Sequence, residues 1–455
     1  MAMKGLTLKE IVMAINGELL YGSVKGFSGV SIDSRTIKDG ELFFAIKGDR
    51  FDGHDFLDDA LKKGSGAVVS SPKVSPSPDR VVIKVKDTVR ALQDLANFWR
   101  KRIGSRVVAI TGSNGKTTTK EMTYKVLSKG FRVQRNEGNL NNHIGLPLSI
   151  LKVEPDTEVI VLELGMNAKG EIRRLCEVAL PDYGVITNIG TAHIGMLGGM
   201  ESIRDAKLEI LNGLNTLIIN GDDEFLMDGV RGFSGRVITF SIRRESDVMA
   251  TDIVKTDNGS MFRLRWMGNE TPINLNVHGL FNIYNALAAS AVGLAFGMDI
   301  NDIRDALSHY HAFPMRFEII RRKGLTIIND SYNANPSSMK EAINELIGLK
   351  KDNRAVAILG DMYELGEFSY EWHEDIGRFL SGAGIDVFVA IGEMMSVAGE
   401  VVSKGNRDVR VYRFKDVYEA ERGIMDIIEP NDTILIKGSR AMGMERLVER
   451  LGDAL

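Results

Sequence analysis

Val107–Met122 reads VVAITGSNGKTTTKEM. An apolar run enters a glycine, the chain turns through Ser113 and Asn114 to a second glycine, and a lysine and three threonines open a helical pattern. A buried strand, a glycine loop and a helix start make an anion site. Successive backbone N–H groups point inward, and the helix N-terminus adds partial positive charge. Gly112 and Gly115 permit the tight backbone, Lys116 reaches the β- and γ-phosphates, and the Thr117 hydroxyl suits Mg²⁺. The candidate nucleotide set is therefore Gly112, Ser113, Asn114, Gly115, Lys116, Thr117 and Thr118. The spacing G-x-x-x-x-G-K-[ST] would need glycine where Ile110 stands, so the loop is the shorter G-x-x-G-K-T. A glycine turn capping a helix beside an exposed lysine is the bland alternative; the strand before the loop and the threonine run after it argue against that. The loop alone does not separate an ATP-driven synthetase from a motor or a switch.

Outward from this stretch the chain divides into three α/β segments: residues 1–103, 104–313 and 314–455. In the first, GVSIDSRTIKDGELFFAIKG holds two strand-like stretches around a KDG turn, and DTVRALQDLANFWRKR is an amphipathic helix running into Gly104. In the second, VVAIT, VIVLELG and YGVITNIG read as buried parallel strands, LIINGDDE is a fourth, a β-rich stretch follows, and GLFNIYNALAASAVGLAFGM is a long helix. In the third, LTIINDSY, AVAILGDM, VFVAIG and TILIKGSR are strands ending in polar or glycine residues. No short-period repeat and no low-complexity tract interrupts the alternation.

Composition narrows the function. The 455 residues carry 57 Lys and Arg against 61 Asp and Glu, a net charge of −4 that provides no footprint for nucleic acid or an anionic membrane. The one cysteine, Cys176, excludes an internal disulfide and reads as a buried structural thiol. The opening MAMKGLTLKEIVMAINGEL lacks the apolar core of a signal peptide, and no apolar run approaches the ~20 residues of a spanning helix, so a cytoplasmic protein is expected.

In a doubly wound sheet, ligands collect beyond the carboxyl ends of the strands. Glu163 ends VIVLELG, where an acidic residue is costly unless paired or metal-bound. His193 lies just beyond VITNIG. If these strands are neighbours, a carboxylate and an imidazole face the phosphates and could share Mg²⁺, although imidazole suits softer ions better. The spacing is no metal signature, and His193 equally packs or caps. Lys207, in SIRDAKLEIL, reads from composition alone as a solvated lysine.

TGSNGKTTTKEM, with its short spacing, and AKLEI, with Lys207, resemble the corresponding segments of the Mur ligases, the ATP-dependent amino-acid ligases of cell-wall precursor synthesis. The resemblance spans nearly the whole chain. EGNLNNHIGLPLSIL (137–151), NDSYNANPSSMKEAI (329–343) and the N-terminal VSIDSRTIKDGELFFAIKGDRFDGHDF are similar to the branch that appends D-alanyl-D-alanine to UDP-MurNAc-tripeptide. The D-N-P-R motif of the diaminopimelate-adding branch is absent. The resemblance implies three domains: an N-terminal α/β nucleotide-sugar domain, a central phosphate-loop ATPase domain with a mostly parallel sheet, and a Rossmann-like C-terminal domain. It implies ATP and two Mg²⁺ as cofactors, a carbamylated Lys207, and a monomer acting on UDP-MurNAc-tripeptide and D-Ala-D-Ala.

By the same resemblance, Lys116 and Thr117 bind phosphates and Mg²⁺, while Glu163, His193 and carbamylated Lys207 organise the second metal. Asn282 faces the adenine; Arg316 and Asp330 reach back to the nucleotide from the third domain. Asn139, Asn141 and Asn142 lie along the nucleotide-sugar peptide, Asn333 and Asn335 near the chemistry, and Ser34 and Arg35 at the uridine nucleotide. Lys437 and Arg440, at a strand end, are candidates for the dipeptide carboxylate or are solvated. Local chemistry offers rival readings: Asn282 as a helix cap, Arg316 as a surface residue, Asp330 in an Asx turn and NANP as a plain turn. One departure leaves a local loop shape open: relatives often carry an acidic residue in an HLEGF-like stretch, where this chain has HIGMLGG and Gly195. A folylpolyglutamate synthase, another amino-acid-adding member, or an ATPase switch or motor remain the alternatives.

Overall fold

The structure is a computed structural model and describes residues 6–71, 80–192 and 194–453. Three sheets follow one another along the chain. The first holds β1 (Glu18–Tyr21), β2 (Gly29–Ser31), β3 (Glu41–Phe44), β4 (Gly66–Val69) and β5 (Val81–Lys84) in the order β1-β5-β4-β3-β2. The two strands flanking the KDG turn, β2 and β3, pair in parallel, so that turn ends a crossover and does not close a hairpin. β1 alone runs antiparallel.

The second sheet holds β6 (Arg106–Thr111), β7 (Val133–Arg135), β8 (Val159–Glu163), β9 (Tyr183–Ile186), β10 (Thr216–Asn220), β11 (Arg236–Ser241), β12 (Val248–Thr256), β13 (Gly259–Trp266) and β14 (Asn269–Leu275). Its order, β14-β13-β12-β11-β10-β9-β6-β8-β7, sets β6 between β8 and β9. The chain winds to one side of β6 and then to the other, which opens a crevice at the carboxyl end of β6. The β-rich stretch is an antiparallel extension, β12 to β14, on an otherwise parallel sheet.

The third sheet holds β15 (Glu318–Arg322), β16 (Leu325–Asp330), β17 (Ala355–Gly360), β18 (Val387–Ile391), β19 (Arg410–Phe414) and β20 (Thr433–Lys437), ordered β15-β16-β20-β17-β18-β19. It is parallel except at β15. Its central strands are buried throughout, as their unbroken apolar runs require.

The helix Thr88–Ile103 ends on Gly104 in the left-handed conformation (φ 66°) and joins the first two units. Trp99 Nε1 donates to Val153 O (3.1 Å) and Arg100 Nε to Ala179 O (2.9 Å), both in the central unit. Cys176 is buried in the helix Glu171–Ala179, and burial pushes its thiol up to about 12. Among the described residues no helix is long and apolar enough to cross a membrane.

Candidate active site

A cavity of about 1220 Å³ opens where the central and third units meet, walled on one side by the loop after β6 and on the other by the segment after β16. The loop needs its glycines. Gly112 (φ 146°) and Gly115 (φ 79°) lie at positive φ, and a Cβ would strike Thr187 Oγ1 at the first and Asn285 Oδ1 at the second. The helix Lys116–Leu127 starts at the loop's end and aims its N-terminus into the cavity. Lys116 Nζ donates to Gly112 O (2.9 Å) and Ser113 O (3.2 Å). Both partners are neutral carbonyls, so the ammonium charge stays available to an anion. Burial lowers its pKa, a shift opposed by Glu163 and Glu364 and assisted by Arg316.

Glu163 closes β8 as a fully bonded buried carboxylate. Thr117 Oγ1 donates to Oε2 (2.9 Å) and Asn141 Nδ2 to Oε1 (2.8 Å). Asn136 grips its main chain, accepting from Glu163 N (2.9 Å) and donating to Glu163 O (3.1 Å). The hydroxyl and carboxylate oxygens at this point are hard donors of the kind Mg²⁺ takes. Among the described residues no group of three His, Cys, Asp or Glu side chains surrounds a metal position. His193 lies outside the described residues.

Lys207 is 1 % exposed, on the helix Met200–Leu208. It was read from composition as solvated; it is instead among the most buried side chains of the molecule. No hydrogen bond or ion pair holds it among the described residues. Burial drives its pKa well below the usual lysine value, and the charge of Lys116 adds to the shift. As an amine it is no ligand for a hard cation; as a carbamate it would present oxygens.

The third unit supplies the opposite wall. Arg316 NH2 donates to Thr117 Oγ1 (3.1 Å), its guanidinium lies 3.7 Å from the Tyr332 ring centroid, and its buried Nε has no hydrogen-bond partner among the described residues. Arg316 is thus part of the wall and not a surface arginine. Asp330 accepts from Phe317 N (3.1 Å) and from Lys437 Nζ (2.6 Å). Lys437 also donates to Asn333 O (2.9 Å). Its buried ammonium braces the Asp330–Asn333 segment at the cavity wall. Arg440 pairs with Glu445 (2.8 Å) and lies outside the cavity lining. NANP is a helix start: Asn335 caps the helix Pro336–Leu349, with Pro336 at the first turn.

Asn282 is buried at the cavity, donating to His278 O (2.7 Å) and accepting from Asn285 Nδ2 (3.2 Å); Asn285 in turn accepts from Thr119 Oγ1 (3.1 Å). This amide chain ties the helix Leu280–Ala295 to the helix after the phosphate loop. Asn139, Asn141 and Asn142 line the cavity; Asn142 Oδ1 accepts from Ile144 N (3.1 Å) and Gly145 N (2.8 Å) just ahead of the helix Gly145–Leu151, and Asn141 orients Glu163. Ser34 and Arg35 lie apart from the cavity; Arg35 forks onto Asp33 (2.9 and 2.8 Å).

Gly195 gains a role. Its N–H donates to Glu364 O (3.2 Å), and a Cβ would collide with the Leu365 carbonyl and Gly366 N. The third unit's loop docks against the helix Ile194–Leu197 at the one residue without a side chain. Glu364 itself sits at φ 64°, rarely adopted by a non-glycine residue.

Other cavity residues escaped the reading of the chain. Asp222 accepts from Tyr284 OH (2.8 Å) and Ile242 N (2.8 Å), and Glu341, Glu364 and Ser337 face in from the third unit. Asp222 was signalled by the three acids ending LIINGDDE; Ser337 and Glu341 had no local signal.

Residues 26–100 match the Mur ligase family, catalytic domain; residues 110–293 match the Mur ligase middle domain; residues 315–440 match the Mur ligase, glutamate ligase domain. The chain is 38 % identical over 452 residues, 98 % of each chain, to the UDP-N-acetylmuramoyl-tripeptide–D-alanyl-D-alanine ligase of Bacillus subtilis. It is 35 % identical over 99 % of each chain to the enzyme of that name from Escherichia coli. A crystal structure of MurF from Acinetobacter baumannii superposes over the whole of both chains with a TM-score of 0.91 at 31 % identity. MurF from Thermotoga maritima in complex with ADP gives 0.83 at 28 % identity, covering 93 % of this chain and 97 % of that one. A phosphate loop facing a third unit across one cavity, and relatives alike from end to end, have a single explanation: the chain belongs to the Mur ligase family.

Proposed function

We propose that this chain joins D-alanyl-D-alanine to the terminal carboxyl of UDP-MurNAc-tripeptide, converting ATP to ADP and phosphate and yielding UDP-MurNAc-pentapeptide. The carrying observation is the shared cavity, in which Lys116 and Thr117 of the central unit meet Arg316 and the Asp330–Asn335 segment of the third. The similar relatives bear this activity in their names.

A carboxylate and an amine do not condense in water without activation. The peptide carboxylate attacks the γ-phosphorus, ADP leaves, and an acyl phosphate results. The neutral amine of the dipeptide attacks the acyl carbon, phosphate departs with the C–O bond electrons, and the amine proton passes to a base. Lys116 and Arg316 bring positive charge to the phosphates as the anionic carboxylate approaches. Thr117 and Glu163, with His193 and carbamylated Lys207 by resemblance, would hold two Mg²⁺. When bound, Mg²⁺ supplies further neutralisation of phosphate oxygens. The two walls together exclude water from the acyl phosphate.

Lys207 becomes a carbamate in this reading: a neutral amine adds CO₂ and releases a proton, and its depressed pKa favours the neutral form. The first unit, residues 1–103, takes the uridine end; residues 104–313 take ATP; residues 314–455 take the dipeptide. One chain furnishes both walls, so a monomer suffices, and dependence on ATP fits a cytoplasmic site.

The test is mass spectrometry of the product from ATP, UDP-MurNAc-tripeptide and D-Ala-D-Ala, with single amino acids and glutamate as rival acceptors. A gain of one dipeptide less water supports the reading. ATP turnover that is indifferent to the muramyl peptide, without amide product, overturns it.

A further inference from the structure

Asn335 has two jobs. Its Oδ1 accepts from Ser338 N (3.0 Å) and so caps its helix. Its Nδ2 crosses the cavity mouth and donates to Asn114 Oδ1 (2.8 Å). Asn114 Nδ2 donates back to Ser337 Oγ (3.0 Å), and Ser337 Oγ donates to Asn335 Oδ1 (2.9 Å). Three polar side chains thus form a closed ring between the phosphate loop and the first turn of a third-unit helix.

The ring is held firmly on the loop side. Asn114 N donates to Asn188 Oδ1 (3.0 Å), and Asn114 O accepts from Thr187 Oγ1 (2.6 Å) and Asn188 Nδ2 (3.2 Å). Close packing adds to this: a Cβ on Gly190 would lie 3.0 Å from Ser337 Oγ. The Asn114 side chain, two residues before Lys116, is therefore committed to the third unit, and Asn335 is committed to Asn114.

We propose that this amide ring is the positioning device that registers the third unit on the phosphate loop, with Asn335 acting on the rate through Asn114 and not by touching the muramyl peptide. The inference rests on the ligase reading above. Activated carboxyl and amine arrive on different units, and a displacement of about 1 Å between reacting groups costs on the order of 10²-fold in rate. A neutral, directional ring fixes that distance without adding charge beside the phosphates.

The capping role makes the idea testable. Asn335→Ser retains a good N-cap but loses the reach to Asn114; Asn335→Ala loses both. The expected result is a fall in kcat of at least tenfold for both variants, with a lower Tm only for the alanine. The Kd of a non-hydrolysable ATP analogue with Mg²⁺, by calorimetry, should stay within twofold. Asn114→Ala should lower kcat similarly, and the double variant Asn114→Ala with Asn335→Ser should be no slower than the slower single. Wild-type kcat in Asn335→Ser, a multiplicative loss in the double variant, or a tenfold weaker analogue Kd in Asn335→Ser would each overturn the ring's role. Absence of product from the native chain would overturn the ligase reading instead, which keeps the two failures apart.

Discussion

Glu341 is a residue whose charge state is set by its surroundings. Its carboxyl is reached from the cavity but walled in by protein. Burial, with Asp330 and Glu345 adding to it and Lys437 opposing, raises its pKa from 4.5 to about 7. The folded chain thus keeps this proton over a range where the unfolded chain has released it. Its contribution to stability is fully retained below 4.5 and lost as pH rises towards 7. Glu341→Gln should therefore raise Tm at pH 8 by about 1–3 °C and change it far less at pH 5, as calorimetry would register. Lys116→Ala should lower kcat by about 10²–10³-fold, the usual loss on removing a charge-stabilising donor. That Lys116, Thr117 and Glu163 meet at one cavity was legible because their placement follows from local order: strand, glycine loop, helix, and an acid ending a neighbouring strand. The Asn114–Asn335 bond was not, since 221 residues separate its partners and each has an adequate local reading, one as loop and one as cap. Asn142 shows the same ambiguity: its Oδ1 accepts from Ile144 N and Gly145 N while the residue lines the cavity, and an asparagine that braces a helix start carries the same letter as one that meets a substrate.

The helix Ile194–Leu197 and the loop Glu364–Gly366 make a contact that composition could not announce. Alanine is the better helix former by ~1 kcal/mol, so propensity alone favours Gly195→Ala. The contact rules against it, because the added methyl would occupy the place of the Leu365 carbonyl. Product formation by Gly195→Ala should drop at least tenfold, while analogue affinity at the phosphate loop is retained; steady-state rates and calorimetry would measure the two. Strands and helices were mostly read correctly, since buried parallel strands announce themselves as apolar runs. The direction of pairing was less visible. β2 and β3 flank a turn signal, yet the 32–40 excursion between them returns the chain to start a parallel neighbour.

The three-unit plan was readable from the repeated strand–helix alternation, but how the units meet was not. Besides the cavity contacts, the turn between β12 and β13 reaches the third unit. Lys255 pairs with Glu345 (2.9 Å), Lys351 with Asp257 (2.8 Å), and Arg321 donates to Asp257 O (2.6 Å). Lys351–Asp257 is exposed on both sides, and such a pair is worth about 0.2–1 kcal/mol; Lys255–Glu345 is half-exposed at the lysine and buried at the carboxylate. Lys255→Glu should slow turnover up to about threefold at low salt, and adding Glu345→Lys should restore it; equal rates in all three proteins would deny the turn any part in setting the interdomain angle.

Cys176 is the sole thiol in the chain, is buried, and holds its proton to about 12. Maleimides react with thiolates, so the native enzyme is nearly blank to them. New cysteines at Met196 in the central unit and Tyr363 in the third, 52 % and 46 % exposed, would take a fluorophore pair with little background. A chain whose single sulfhydryl is shielded thereby leaves the distance between its central and third units open to direct observation by energy transfer.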